Sequence, residues 1–248
     1  MRDPVESTSS NRVSGFADRV AVWLSHHWLA LINTVLAIYV GLPFVAPVAI
    51  ESQHPFVAQI IYTIYSPVCH QLPQRSYFLY GEKPTYTLQE LVDRVGEENL
   101  PLYPWPKPFD GNAQVGYKVA LCERDLAIYG ALLLTGLAFS LVRSRARPLP
   151  FWAYILIGII PMGLDGGSQF ISYLLPGLVP GLALVPREST WLLRTITGGL
   201  FGWATAWLAF PNLQAAFAEV AEHSRRRLET VGGSRILEDT SWKSDSRG

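Results

Sequence analysis

The sequence predicts an all-α fold: a polytopic membrane helix bundle of four transmembrane helices, with an extracytoplasmic insertion between helices 1 and 2. Three observations carry this. Four runs reach the length of about 20 mostly apolar residues that a bilayer-crossing helix needs. Charged residues make up 16% of the chain, below the roughly 25% usual in soluble domains. Arginines gather beside these runs on what would be one side of a membrane.

The first run, 28–50, reads "WLALINTVLAIYVGLPFVAPVAI" and carries no charge, though Pro43 and Pro47 should kink it. A long, mostly polar leader precedes it and no small-x-small site follows, so it reads as a retained anchor and not a signal peptide. The second, 119–142, holds Glu123, Arg124 and Asp125 in its first turns. The third, 151–175, holds Asp165, and the fourth, 191–210, holds Arg194 one turn in. No internal repeat is visible, which argues against a transporter built from inverted halves.

Around this 23–218 membrane domain the chain is polar. Residues 1–22 read as a disordered N-terminus and 219–248 as a tail that starts as a basic helix and ends loose. Within the 51–118 insertion, "TLQELVDRV" predicts a short helix capped by Thr87 with Glu90 three residues on, a capping box. "PLYPWPKPFDG", 101–111, predicts a rigid loop. Arg143, Arg145 and Arg147 lie in the short link between helices 2 and 3, and Arg225, Arg226 and Arg227 follow helix 4. Short basic loops stay in the cytoplasm, so the expected topology is multi-pass in the plasma membrane with both termini cytoplasmic. The insertion then lies on the outer side.

Most chemically suggestive residues fall on that outer side. Charges inside apolar runs cost a few kcal/mol and face partners within the bundle. Arg124 or Arg194 with Asp125 or Asp165 is the simplest pairing. Such pairs either fix helix packing or line a pocket open to the outer face. The ligand-binding candidates are Arg75, Arg124, Asp165, Gln169, Arg187 and Arg194, with Asp165 the candidate acid/base if the protein is an enzyme. Asp165, Gln169 and Ser172 share a helical face. The small residues of "GLDGGSQ" and "TGGLFG" suit close helix approach. Cys69, His70, Cys122 and Asp125 offer the donor set of a zinc or copper ion. A Cys69–Cys122 disulfide competes for the same thiols in an oxidising compartment.

The sequence excludes several classes. Formal net charge is zero, so nothing argues for nucleic acid. There is no G-x-S-x-G, H-E-x-x-H, P-loop or dinucleotide fingerprint. The partner is the lipid bilayer. Two functional classes remain: a polar Cys/His/Asp/Arg site near the outer leaflet that binds a metal ion or a polar or lipid ligand, and a non-enzymatic accessory or structural subunit of a larger membrane complex.

Four ordered blocks, "CHQLPQRSYFLYG", "LCERDLAIYGALLLTG", "PMGLDGGSQF" and "RESTWLLRTITGGLFG", resemble an uncharacterised domain-of-unknown-function family of small prokaryotic membrane proteins. The resemblance covers about residues 65–210. It implies that Cys69, His70, Arg75, Cys122, Arg124, Asp165, Gln169, Arg187 and Arg194 occupy the family's characteristic positions, with Gln71, Ser76, Tyr129, Gly130, Ser189 and Thr190. It supplies no activity. The chain departs from the family pattern at the second cysteine of C-x-R-C, which is Asp125, and at the asparagine after Ser-Thr, which is Trp191.

Overall fold

The computed structural model describes residues 4–100, 109–143, 146–178 and 187–245. Helix α1 runs Pro4–Glu51 without a break at Pro43 or Pro47. It includes the N-terminal segment expected to be loose, since extending a helix adds a bond per residue while starting one does not. A tight turn at Ser52–His54, with Gln53 at φ 62°, reverses the chain into α2, Pro55–Tyr65. The insertion follows: β1 (Ser76–Leu79), α3 (Leu88–Val95), β2 (Gly111–Asn112) and β3 (Gly116–Cys122). Then come α4 (Glu123–Val142), α5 (151–178) and α6 (Trp191–Asp245).

Among the described residues, three helical segments are long and apolar enough to cross a membrane: Gly15–Glu51, Glu123–Val142 and Phe151–Leu175. The fourth expected span forms the start of α6. Its arginine, threonines and six glycine or alanine positions dilute the apolar density that marks the other three.

Two expectations are corrected. The fold is not purely α, because the insertion holds a three-stranded antiparallel sheet of order β1-β3-β2. The second helix starts at Glu123, not at Val119. Residues 119–122 pair in β3, where Ser76 stands opposite Cys122 and Phe78 opposite Lys118. A short apolar run can be a buried strand or a helix turn, and "VALC" leads straight into α4 with no glycine or proline to mark the boundary. The β2–β3 turn is local chemistry: Asn112 Oδ1 accepts from the Gln114 and Val115 amides, and Gly116 takes φ 83°. The capping box is present as expected, with Glu90 N donating to Thr87 Oγ1 and Thr87 N to Glu90 Oε2. The Pro-aromatic loop lies mostly at 101–108, outside the described residues.

Each level of the molecule has its own core. The insertion closes over Phe78, Tyr86, Leu91, Leu100, Phe109 and Val115. The far end of the bundle packs Trp28 and Leu29 of α1, Phe139 of α4, and Ala206 and Phe210 of α6. Between them runs a close α4–α6 seam. A Cβ on Gly202 would lie 2.2 Å from the Ile128 carbonyl oxygen, and one on Gly198 2.8 Å from that of Arg124. Glycines four apart let the two backbones approach this closely.

Candidate functional site

The insertion meets the helices at one end of the bundle, and two polar clusters lie there. The larger is built on α4, α5, α6 and the segment 187–190. Asp165 sits in a π-helical turn, Gly163–Gly167, an uncommon geometry that re-aims side chains within a helix. Its buried carboxylate accepts from Arg124 Nη2 at 2.6 Å, Ser189 Oγ at 2.6 Å, Arg187 Nη2 at 3.3 Å and Thr197 Oγ1 at 3.4 Å. Gly166 leaves room for the Arg124 guanidinium: a Cβ there would be 3.0 Å from Arg124 Nη1.

Beside it, buried Arg194 donates to Glu123 Oε2 at 3.0 Å, Glu188 Oε2 at 2.9 Å and the Gln74 carbonyl at 3.1 Å. Glu188 also takes Arg75 Nη2 at 2.7 Å, Gln169 Nε2 at 2.7 Å and the Tyr173 hydroxyl. Burial pushes the Glu188 carboxyl up, but the hydrogen bonds from Arg75 and Tyr173 outweigh it and hold the group below the usual carboxylate range. Arg75 comes from the insertion, so this network ties the insertion to three helices. Tyr77 adds a contact to Thr195 at 2.7 Å.

Of the expected pairings, Arg124 with Asp165 is present. Arg194 instead takes Glu123 and Glu188. All six ligand-binding candidates, Arg75, Arg124, Asp165, Gln169, Arg187 and Arg194, come together. Glu123 and Glu188 complete the network and were not singled out as partners from sequence. The available signal was Glu123 itself, a carboxylate in a membrane-length run. A cleft of about 420 Å³ opens against this network, lined by Gln74, Lys83, Tyr86, Glu123, Glu188, Trp191 and Arg194 among others. Among the described residues, Gln74 Oε1, Arg124 Nε and Arg194 Nε of this network find no hydrogen-bond partner.

The smaller cluster holds the thiols. Cys69 follows α2, its amide donating to the Tyr65 carbonyl at 3.0 Å. Cys122 ends β3 and caps α4, its Sγ accepting from the Asp125 amide at 3.5 Å. The ligand atoms of Cys69, Cys122 and Asp125 lie within 4.8 Å of one another. The two cysteines stand 3.9 Å apart and are not bonded. His70 is exposed and stands outside this group. Asp125 belongs here and not to the arginine network.

These positions can be set against known sequences. The resemblance holds. The family described as "Predicted membrane protein (DUF2085)" matches residues 113–208. That segment carries Cys122, Asp125, Asp165, Gln169, Arg187 and Arg194; Cys69, His70 and Arg75 precede it. An uncharacterized protein of Methanocaldococcus jannaschii is 27% identical over 157 residues, 63% of this chain and 70% of the relative. No solved structure matches.

Proposed function

We propose that this is an integral membrane protein that holds a transition-metal ion, zinc or copper, between Cys69, Cys122 and Asp125 at one end of its helix bundle. The convergence of three ligand atoms within 4.8 Å supports the reading, and the thiol spacing is compatible with it. Thiolates bound at about 2.3 Å to a tetrahedral ion stand roughly 3.8 Å apart. The two cysteines are 3.9 Å apart, whereas a disulfide needs its sulphurs at about 2.05 Å. Asp125 supplies a third, harder donor. A fourth position is left for water or a ligand, as in sites where zinc acts on substrate. His70 would reach it only by turning inward, so it is not required.

The arginine network fits a scaffold better than a catalytic centre in this reading. Asp165 has four donors around its carboxylate, which leaves it little freedom as an acid or base. The orientation supported is both termini cytoplasmic in the plasma membrane. Arg225 lies 2.8 Å from His26, and Arg143 contacts Gln214, so the basic segments gather at the end opposite the insertion. The start of α6 serves as a fourth span, since it packs along α4 from Arg124 and Ile128 to Phe139.

Metal content of protein purified from membranes tests the site, with and without added zinc. Near-stoichiometric metal is expected in the wild type and in His70→Ala, and loss in Cys69→Ser and Cys122→Ser. No metal in any preparation, or a Cys69–Cys122 bond revealed by thiol labelling before and after reduction, overturns it. In the accessory-subunit alternative, the protein co-purifies at fixed stoichiometry with another membrane complex.

A further inference from the structure

Helix α2 is too short to cross a bilayer and is apolar on both sides. Ala58, Ile61, Tyr62 and Tyr65 are buried against α1 and β3. The opposite side shows Phe56 at 73% exposure and Ile64 at 57%, with Val57 and Ile60 between them also exposed. An exposed apolar face of this kind marks contact with lipid or protein.

The geometry of the hairpin decides between surfaces. At the turn, the His54 amide donates to the Ala49 carbonyl. At the other end, Tyr65 Oη donates to the Tyr39 carbonyl at 2.8 Å. α2 therefore runs antiparallel to α1 and descends beside it by roughly 15 Å, at about 1.5 Å per residue. That stretch of α1 belongs to its membrane-crossing segment and exposes Val45 and Val48 in the same way. The lipid-facing surface of α1 thus continues onto α2. On the far side of the bundle, α5 exposes Phe170, Ile171 and Leu174 beyond Asp165, so the apolar belt rises past the level of Asp165 there too.

We propose that α2 is a re-entrant helix: it enters the leaflet with its C-terminal end downward and packs its outer face against phospholipid acyl chains. The polar turn Glu51–His54 stays at the headgroups. Backbone at membrane depth must be satisfied or turned toward protein, and the start of the return does this: the Ser66, Val68 and Cys69 amides donate to the last carbonyls of α2. Cys69 is buried with its amide bonded, and the Gln71 side chain donates to the Tyr62 carbonyl at 2.8 Å. His70 and Gln71 set the floor, so the descent stops in the upper part of the leaflet. In consequence Cys69 and Cys122 lie near the level where the descent ends.

The inference rests on the membrane embedding of the long helices and is independent of metal binding. Spin labels at Phe56→Cys, Ile60→Cys and Ile64→Cys test it, in full-length Cys69→Ser/Cys122→Ser protein in phosphatidylcholine nanodiscs. Ile38→Cys on α1 is the lipid control and Gln89→Cys on α3 the water control. The ratio of collisions with oxygen to collisions with a water-soluble nickel chelate should rise from Phe56 to Ile64 and end several-fold above that at Gln89. Nickel-dominated collisions along all of α2, with Ile38 still oxygen-dominated, overturn the re-entrant helix alone. Nickel-dominated collisions at Ile38 as well overturn the spanning reading. Photo-crosslinking from benzophenone at Ile64, with both native cysteines kept, guards against misfolding: adducts to phospholipid are expected, and adducts only to polypeptide mean that a protein covers the face.

Discussion

The two clusters at the insertion end differ in how their polar groups are satisfied. In the arginine–carboxylate network every carboxylate has a cation. Asp165 has Arg124 and Arg187, Glu123 has Arg194, and Glu188 has Arg75 and Arg194. In the thiol cluster, Cys69, Cys122 and Asp125 are three potential anions with no cation among them. The first arrangement sets four arginines around three carboxylates, so each negative charge in it is balanced within the fold. The second would ionise its thiols only against a bound cation, which would balance them. Carboxylates already held by arginines have little left to offer a cation, so in the proposed reading the network is scaffold and the thiol cluster is the site.

Breaking the network is the largest expected effect. Asp165→Ala would leave Arg124 and Arg187 beside an empty buried position. Removing one partner of a buried ion pair costs about 3–5 kcal/mol, because the remaining charge is uncompensated. Thermal unfolding in detergent should show a fall in Tm of several degrees, and Glu123→Gln should behave alike through Arg194. By contrast, Cys69→Ser and Cys122→Ser without metal should shift Tm little while abolishing metal content. Equal Tm losses in both sets would erase the distinction between the clusters.

The seam beneath the network comes next. Gly202→Val would place side-chain carbon against the Ile128 carbonyl, where even a Cβ would be 2.2 Å away. Neither backbone is a flexible side-chain end, so α4 and α6 must separate. Overpacking of this kind costs about 1–3 kcal/mol or more. Gly199→Ala, which meets nothing within 4 Å, is the matched control and should leave Tm unchanged.

Thr87→Ala on α3 should cost about 1 kcal/mol, the usual loss for an N-cap. The effect belongs to the insertion, read by amide exchange at 88–95, and should leave the helices untouched. This element was legible because its signal is local: a threonine, a glutamate three residues later and the apolar positions that follow. The membrane-crossing helices were legible for a similar reason, since length and apolar content suffice. The sheet was not, because β3 merges its apolar run with α4 and its partner β1 lies about 40 residues earlier, a pairing no local pattern encodes. Within the site, charges in apolar runs pointed to Arg124, Asp165 and Arg194. Which carboxylate met which arginine depended on the π-turn at Asp165 and on the insertion folding back, and neither leaves a mark in sequence. His70 shows the opposite case. Its place beside Cys69 suggested a shared ion, but adjacent side chains on an extended turn point apart.

The smallest effect lies where the insertion docks. Arg75 and Glu188 are both partly exposed, at 27% and 32%, and such pairs contribute about 0.2–1 kcal/mol. Their pH dependence has a definite sign. The folded Glu188 carboxyl sits below its ordinary value of 4.5, with burial opposing and the Arg75 and Tyr173 hydrogen bonds prevailing. A depressed carboxyl stabilises the fold above its unfolded value, and that contribution is lost as pH falls through the folded value. Amide exchange over residues 73–79 should therefore quicken, beyond its intrinsic pH trend, as pH drops below about 4.5, the ordinary value of the group. In Glu188→Gln the same segment should start less protected at neutral pH and lack that acid-induced step. An identical step in the variant would assign it to another carboxylate, and Glu123 behind Arg194 would be the next to replace. Because Glu188 shares Arg194 with Glu123, loss of its charge loosens the insertion without stripping Glu123 of its cation, so the helices should hold while their cover lifts.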